Sequence, residues 1–307
     1  MIAALIIAAG RTTHRESFEP QKEIGTIPAI QRIVKTFQQA DIERIVIVCN
    51  EDDGVTEKHA ARMNAVFLHN RRDAEMLDNV KKGLLYLEGK CTAALITHVD
   101  IPLFSVETVR ALSLSEMPIS IPSYQGTAGH PILIQSAFFD AIRSYAGAGG
   151  LAGAVESSGL ERGFVDVDDA GIRTNVRYDD DYDTLLSAHN LATLHPDVRI
   201  RLAKEKPFYG AGPHQILVLI DETSSLSEAC RQMGISYNKG RSILALIEQQ
   251  LGFAATEGRS GGKDGGSSVL TKEGRALMQS YVHFSNEVQQ CISDIFEKHF
   301  HTKRDGR

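Results

Sequence analysis

Four short, uninterrupted aliphatic runs constrain the fold of this chain more than any other feature. They are "AALIIAA", "RIVIVCN", "NAVFLHN" and "AALITHVD", and all lie within the first 100 residues. Runs that are apolar throughout, rather than at alternate positions, indicate strands buried on both faces of a parallel sheet. Helical patterns separate the runs, so the sequence predicts a doubly wound, mostly parallel α/β sheet of the Rossmann-like class.

Polar residues follow the ends of two of these predicted strands, where a sheet of this class binds its ligands. The first strand runs through Ala8 and Ala9 into Gly10, a polar loop and the helical segment "IPAIQRIVKTFQQAD". A strand, a glycine and a loop before a helix are typical of a turn that binds phosphate groups. A second loop follows Val99 and begins with Asp100. We therefore expect these two loops to share one binding edge.

The composition is that of a soluble globular protein. The length of 307 residues is enough for two domains, with 42% hydrophobic and 23% charged residues. The apolar start lacks a basic segment and is too short to cross a bilayer, so we interpret it as a buried strand. The four cysteines show no CxxC or Cys/His ligand spacing, which indicates reduced thiols. We therefore expect a cytoplasmic location.

The pattern of the sequence changes after about residue 188. Residues 1–188 form the predicted first domain, residues 189–212 a linker rich in proline and basic residues, and residues 213–300 a second domain. Three helical segments follow one another in the second domain, namely "HQILVLIDE", "SLSEACRQMG" and "YNKGRSILALIEQQLG". A glycine-rich stretch and a long terminal helix complete it.

The second and third of these helices have the layout of a helix-turn-helix. Gly234 suits the turn, and an apolar stripe faces inward in the later helix. The outward face at the start of that helix presents polar side chains that can reach base edges or phosphates, including Ser236, Asn238 and Lys239, with Arg241 beside them. Residues 191–307 carry 15 basic and 13 acidic residues, while the remainder carries an excess of acid. The second domain is therefore the better partner for a polyanion.

The glycine-rich stretch "EGRSGGKDGGSSVLT" fits a β-hairpin wing that carries Arg259 and Lys263. Glycines would let its backbone approach phosphates, and the two cations would add salt-dependent affinity. The alternative is a flexible, solvated loop. Its position after a helix-turn-helix favours the wing.

The segment "SSLSEACRQMGISYNKGRSILALIEQQLG" and the later "GRSGGKDGGSSVLTKEG" resemble the DNA-binding domain of the molybdate-responsive ModE regulators, a branch of the LysR-type winged helices. The resemblance covers residues 213 to about 282 and implies that Tyr237, Asn238, Lys239 and Arg241 face DNA. Residues 272–299 contain a heptad seam, which indicates packing within the domain or across a dimer. The resemblance favours a homodimer that reads a palindromic site. The seam consists of Leu277, Tyr281, Phe284, Val288, Cys291 and Ile295.

Residues 1 to about 188 resemble the MobA-like NTP transferase domain, on "LIIAAG", "AEMLDNVKKGL", "HVDIPLFSVETV", "GHPILI" and "DDDYDTLL". The resemblance implies a fold that binds CTP or GTP and transfers the nucleotide to a molybdopterin-type acceptor. It implies that Mg²⁺ binds at Asp100 and Asn175. It also implies a nucleotide site composed of Ala8, Ala9, Gly10, His14 and Asn79.

The first loop departs from the family pattern at its cations. His14 stands where the family has Arg, Glu16 where it has Gly and Glu19 where it has Lys. Because phosphoryl transfer depends on electrostatic stabilisation, these changes predict weakened catalysis. Arg15 and Lys22 are near enough in sequence to act as replacement cations, which with Asp100 gives the expected catalytic set. Later in the chain Arg177 stands where a carboxylate is usual.

Two residues in the segments that resemble the family have alternative interpretations. Asp100 could instead cap the helix "SVETVRAL" or be a solvated acid, and His130 in the "GHP" turn could be structural or catalytic.

Two functions follow from these features. The first is a transcription regulator in which a degraded transferase domain senses a molybdenum-cofactor-related ligand or mediates assembly. The second is a working Mg²⁺-dependent nucleotidyltransferase with a regulatory DNA-binding domain. A third, less favoured alternative is an enzyme whose C-terminal part only dimerises. The damaged first loop beside an intact helix-turn-helix pattern favours the first.

Overall fold

The computed structural model describes residues 1–9, 20–51, 56, 63–178, 182–192, 194–259 and 267–300, without the side chains of residues 192 and 259. The chain divides into two compact units, Met1–Thr193 and Leu194–Arg307. No helix in these ranges is both long enough and apolar enough to span a bilayer.

The first unit is built on one mixed sheet. Its strand order is β10-β7-β9-β6-β1-β4-β5, and β8 pairs with β7. Pairing is parallel throughout except that β9 runs antiparallel to β6 and β7, and β8 runs antiparallel to β7. The strands are β1 (Ile2–Ile7), β4 (Arg44–Asn50), β5 (Ala65–Asn70), β6 (Ala93–His98), β7 (Ile119–Tyr124), β8 (Thr127–Ala128), β9 (Ile132–Gln135) and β10 (Arg162–Asp166). A separate two-stranded hairpin is formed by β2 (Glu23–Ile24) and β3 (Ile27–Pro28).

The four aliphatic runs form β1, β4, β5 and β6, which confirms the mostly parallel α/β sheet. These strands are almost continuously buried, as residues packed from both faces must be. Helices cover them: α1 (Ala29–Gln39), α2 (Met76–Leu87), α3 (Val106–Ser113), α4 (Phe139–Arg143), α5 (Gly150–Ser157) and α6 (Asp183–Ala192). One of the helical patterns that separate the runs, "GVTEKHAARM" between β4 and β5, lies almost entirely outside the described residues.

A glycine lets α2 lie directly on the central strand. A Cβ atom at Gly83 would lie 2.3 Å from Leu5 Cδ1, closer than any real contact. The close approach brings the first turns of α2 next to the carboxyl end of β1.

A buried arginine joins α1, α6 and the β2–β3 hairpin. Arg32 is only 3% exposed, and its guanidinium donates to Ile24 O at 2.7 Å and to Asn190 Oδ1 at 2.8 Å. It also contacts His189 Nδ1 at 3.2 Å. In the described part of the chain no carboxylate forms an ion pair with it. His189 must therefore be neutral, so that its Nδ1 can accept a hydrogen bond from the cation.

The second unit contains helices and two small hairpins. The first hairpin is β11 (Arg201–Ala203) with β12 (Pro207–Gly210), and α7 (Ala211–Thr223) follows it directly. The unit continues with α8 (Leu226–Gln232), α9 (Tyr237–Leu251), the antiparallel pair β13 (Thr256–Arg259) and β14 (Ser267–Leu270), and α10 (Lys272–Phe300). The interval 189–212, expected to be a linker, therefore contains the end of α6 and a hairpin that belongs to the second unit.

Gly234 lies in the turn between α8 and α9, as the sequence predicts. Ser225 caps α8 by accepting a hydrogen bond from the backbone N–H of Glu228, and Gly234 has a φ of 63°. In α9, Gly240 is buried against α8, where an added Cβ would lie 2.3 Å from Cys230 Sγ. Two short helices therefore pack closely at this turn.

An aromatic cluster anchors the start of α10. The Tyr281 ring lies 5.0 Å from Tyr209 and 5.2 Å from His214, and its hydroxyl donates to Ile200 O at 3.1 Å. Beyond Tyr281 the predicted seam is not covered by the described part of this chain. Phe284 is 47% exposed and Ile295 60% exposed.

We predict that the Arg32–His189 contact makes the protein sensitive to acid. Burial, and secondarily Arg32, lowers the pKa of His189 to about 4. Because the folded-state pKa lies below the unfolded value, unfolding takes up a proton, and stability is lost as the pH falls from about 6.5 towards 4. The expected loss is of order 3 kcal/mol.

The measurement is urea unfolding at a series of pH values. His189→Gln should give a shallower decline of the free energy of unfolding over this range, while His283→Gln, at an exposed position on α10, should leave the decline unchanged. An unaltered decline in His189→Gln would show that the imidazole is not the acid-sensitive group.

Candidate functional site

Polar groups collect at the carboxyl edge of the sheet in the first unit. β1, β4, β5 and β6 are mutually parallel and end together, with Ile7 paired to both Val48 and His98. Because β9 is antiparallel, its beginning lies at this same edge, and His130 therefore stands beside the end of β6. The sheet thus presents amides, imidazoles and a carboxylate along one line.

Three asparagines form the part of this edge next to Ala9. Asn79, in the first half of α2, is fully buried; its Nδ2 donates to Ala9 O at 3.2 Å, and its Oδ1 accepts from Asn70 Nδ2 at 2.8 Å. Asn70 ends β5 and is paired in register with Asn50, which ends β4. Asn50 Oδ1 is buried without a hydrogen-bond partner in the described structure. A buried carbonyl oxygen of this kind is suited to accept a hydrogen bond from a ligand N–H.

Asn50 and Asn70 were not among the residues expected from the sequence. The available signal was that both end an aliphatic run, in "RIVIVCN" and "NAVFLHN". Their alignment at one edge depends on the register between β4 and β5, which the sequence does not display. Asn79, which the resemblance implies in the nucleotide site, binds the backbone carbonyl of Ala9.

Asp100 and Asn175 lie together, as the predicted metal site requires. Asn175 Nδ2 donates to Asp100 Oδ2 at 3.0 Å, and Val176 N donates to Asp100 O at 3.0 Å. Asn175 Oδ1 accepts from Arg177 N at 3.0 Å. A carboxylate such as that of Asp100 is a ligand that divalent cations prefer, whereas the Asn175 amide directs its Nδ2 to Asp100 and its Oδ1 to Arg177 N. In the described ranges no three His, Cys, Asp or Glu side chains converge as a metal cluster.

The alternative role of Asp100 as a helix cap is wrong. Ser105 caps α3, since its Oγ accepts from Thr108 N at 3.1 Å. Asp169 supports this cap by accepting from Ser105 N at 2.7 Å and from Thr108 Oγ1 at 2.6 Å. The Asp100 carboxylate is therefore available to the edge of the sheet.

Two histidines pack beside this carboxylate. The rings of His98 and His130 meet edge to face with centroids 5.1 Å apart. Burial lowers the pKa of His98 to about 4, and burial together with His98 lowers the pKa of His130 to about 4. His130 N donates to Ile172 O at 2.7 Å, while His130 Nδ1 has no hydrogen-bond partner in the described structure. Both imidazoles are therefore neutral near pH 7, and they contribute polar but uncharged groups to the carboxyl edge of the sheet.

The first-loop residues Gly10, His14 and Arg15 lie outside the described residues, as do Glu16 and Glu19. Lys22 is exposed at the entry to the β2–β3 hairpin, and its carbonyl accepts from Ala29 N at 3.0 Å.

The residues expected to face DNA lie at the beginning of α9, where five side chains are exposed. Ser236 is the N-cap of the helix, and its Oγ accepts from Lys239 N at 3.2 Å. Its hydroxyl oxygen is therefore already engaged within the helix. Arg259 ends β13, and Lys263 lies outside the described residues. The exposed group is Ser236, Tyr237, Asn238, Lys239 and Arg241.

Solved structures share the architecture of the first unit. The manganese complex of Rv0371C from Mycobacterium tuberculosis H37Rv matches with a TM-score of 0.51 and 19% identity, over 61% of this chain and 98% of that one. A nucleotidyl transferase from Methanothermobacter thermautotroptrophicus (Mth528) matches with a TM-score of 0.53 and 16% identity, over 62% and 98%. At these identities the likeness establishes the fold alone. The sheet and its polar edge define a nucleotidyltransferase-like α/β domain.

The family is shown by the sequence itself. Residues 4–162 match the MobA-like NTP transferase domain, and the chain belongs to that family.

Two curated relatives match parts of the chain. The molybdenum-pterin-binding protein MopB of Rhodobacter capsulatus is 33% identical over 89 residues, which are 29% of this chain and 33% of MopB. The bifunctional protein GlmU of Synechococcus elongatus is 29% identical over 115 residues, which are 36% of this chain and 25% of GlmU. The chain thus spans only a third of the length of MopB and a quarter of the length of GlmU.

We predict that the amide nitrogen of Asn79 stabilises the first unit by binding the Ala9 carbonyl. Asn79→Asp keeps an oxygen for Asn70 but replaces the donor to Ala9 with a second acceptor, so two oxygens would face each other in a buried place. The expected loss is about 1–3 kcal/mol of unfolding free energy.

Urea unfolding near pH 7 measures this loss, and Asn238→Asp, exposed at the start of α9, is the matched control. Equal stability of the two variants would contradict a hydrogen bond between Asn79 and Ala9.

Proposed function

We propose that this protein is a DNA-binding regulator linked to the molybdenum cofactor, whose MobA-like unit binds a nucleotide or a pterin-related ligand. The observation that carries the proposal is the helix pair α8–α9 with its exposed polar start. Lys239 and Arg241 supply positive charge there, and Tyr237 and Asn238 supply hydrogen-bonding groups. This is the arrangement by which a recognition helix contacts bases and phosphates.

The packing around the turn supports the same proposal. Gly240 lets α9 lie close to α8, and the buried Leu244 and Ile247 face the unit's interior. Because the inner face of α9 packs against the interior of the unit, its opposite face at the start of the helix can enter the major groove of DNA. The β13–β14 pair after α9 would act as a wing, with Arg259 at the end of its first strand.

The exposed seam of α10 supports a homodimer through residues 272–299. A 29-residue helix with Phe284 and Ile295 largely exposed leaves apolar surface that a second copy of the helix would bury. A dimer would position two α9 helices so that each contacts one half of a palindromic DNA site.

The similarity to MopB supports the link to molybdenum. MopB is by name a molybdenum-pterin-binding protein, and it shares 33% identity with 89 residues here. A ligand of this kind would regulate DNA binding only if it favoured one of two conformations.

Replacement of Lys239 tests the DNA contact. With a duplex selected from a random-sequence pool by the full-length protein, Lys239→Ala should weaken binding and reduce the slope of log K against log salt by about 1, because one phosphate contact is lost. Lys82→Ala, on an exposed face of α2 in the other unit, should keep the original slope. Identical slopes in both variants would contradict a phosphate contact by Lys239.

A second candidate function is an active nucleotidyltransferase, favoured by the hydrogen-bonded pair Asp100 and Asn175. In this alternative the pair would hold a divalent ion, and Arg15 or Lys22 would replace the missing loop cations. A structural neighbour is described as a manganese complex, which supports a divalent ion in general. Mg²⁺ or Mn²⁺ bound there would neutralise charge on the nucleotide phosphates.

Calorimetric titration with CTP and GTP, with Mg²⁺ or Mn²⁺, separates the two candidates. The regulator is expected to bind nucleotide without releasing pyrophosphate when a molybdopterin-type acceptor is added, because two loop cations are replaced. Asp100→Asn should weaken the metal-dependent part of nucleotide binding by about tenfold, as a charged ligand is lost. Rapid pyrophosphate release by the wild-type protein would instead establish the transferase.

A further inference from the structure

One edge of the sheet in the first unit has a free side. β10 is the last strand in the sheet order, and β7 is its strand partner in the described part of the chain. The two strands pair regularly over Arg162–Asp166, and β10 contains no bulge, proline or lysine. These are common means of preventing an edge strand from pairing further. The free side of β10 can therefore accept another strand.

The direction of the backbone groups is fixed by the pairing with β7. Val167 N donates to Ser123 O at 2.9 Å, so the backbone of Val167 faces β7. Because backbone groups alternate in direction along a strand, Val165 and Gly163 face β7 as well, and the residues between them face away. Across the described ranges these outward N–H and C=O groups form no hydrogen bond. The outward-facing residues are Arg162, Phe164 and Asp166.

The same three residues carry exposed side chains on one face of the sheet. Phe164 is 62% exposed, whereas its neighbour Val165 packs against the core. Arg162 and Asp166 lie two positions before and two positions after Phe164, and both are exposed. Neither forms an ion pair with another described residue. An exposed aromatic ring is therefore flanked by one positive and one negative charge along a free strand edge.

We propose that the β10 strands of two copies of this chain pair antiparallel about a two-fold axis at Phe164. In a two-fold contact the same surface of each copy meets the other, so Phe164 lies opposite its own copy. Arg162 then lies opposite Asp166 of the second copy on both sides of the axis. The outward backbone groups of each such pair exchange both N–H···O bonds. Aromatic pairs and opposite charges directly across two strands stabilise the pairing.

The order of the charges favours this register over the neighbouring ones. An axis at Arg162 would set two arginines opposite each other, and an axis at Asp166 would set two carboxylates opposite each other. An axis moved by one residue from Phe164 would set its ring opposite one of these charged side chains. The pattern is thus complementary to itself in one register, which is the reason to assign a second copy as the partner strand.

This contact goes beyond the proposed function and does not depend on it. It lies in the MobA-like unit, and neither the α10 seam nor DNA takes part in it. Each copy contributes a strand of 5 residues, whereas stable protein interfaces use about 20–30 residues a side. The pairing is therefore expected to be weak and to increase with protein concentration.

Hydrogen exchange of the full-length protein tests the pairing. Exchange in the segment 162–166 should become slower as the protein concentration rises, because the outward amides gain partners only in the paired state. Exchange in the central strand β1 should not change with concentration. Exchange in segment 162–166 that does not depend on protein concentration would overturn the proposal.

Charge reversal tests the register. Arg162→Asp and Asp166→Arg should each weaken the association about tenfold, since like charges then lie opposite each other on both sides of the axis. The double variant Arg162→Asp/Asp166→Arg should restore it, because opposite charges face each other again. Sedimentation equilibrium measures the association, and hydrogen exchange assigns it to β10.

Arg72→Asp is the matched control, since it makes the same charge change at an exposed position after β5, at the other end of the sheet. It should associate like the wild-type protein. Full association of either single variant, or failure of the double variant to restore it, would overturn the proposal. All these variants keep residues 272–299 and α9 unchanged, so this outcome is distinguishable from failure of the α10 dimer or of DNA binding.

Discussion

The pairing of β1 with β4 on one side and β6 on the other is the interaction on which the rest of the first unit depends. It places a fully buried strand at the centre and aligns the ends of its neighbours, Asn50 and His98, beside Ala8 and Ala9. Because side chains of parallel strands are covered on both faces, most polar groups appear where the strands end. The polar edge of the sheet is thus a consequence of burying the central strands on both faces.

The polar groups at this edge are held without strong charge pairing. Asn79 binds the Ala9 carbonyl, Asn175 binds the Asp100 carboxylate, and two neutral imidazoles meet edge to face where β6 ends and β9 begins. Buried amides and neutral rings avoid the large desolvation cost of buried ions while keeping definite geometry. Arg32 is by contrast a buried cation, and its terminal guanidinium nitrogens bond to a carbonyl, an amide and a neutral histidine.

Much of the fold could be predicted, since the residues that determine it are local in sequence. The four aliphatic runs predicted four parallel strands, and Gly234 predicted the turn between α8 and α9. The antiparallel β9 was not predicted, because its short run "ILIQ" has no feature that specifies direction. The hairpin β11–β12 was mistaken for linker, because its basic and proline-rich composition is typical of exposed segments.

The sequence by itself determined the α/β class of the first unit and the helical character of the second, because hydrophobic periodicity, caps and turn residues act over a few neighbouring positions. It also marked Asp100 and Asn175 as a pair. Only the tertiary structure decided that Asn50, Asn70 and Asn79 meet, that Arg32 contacts His189 157 positions away, and that Phe164 is exposed on the edge strand β10. These arrangements depend on strand order and register, which are set by the packing of the whole sheet and are not encoded in any single segment.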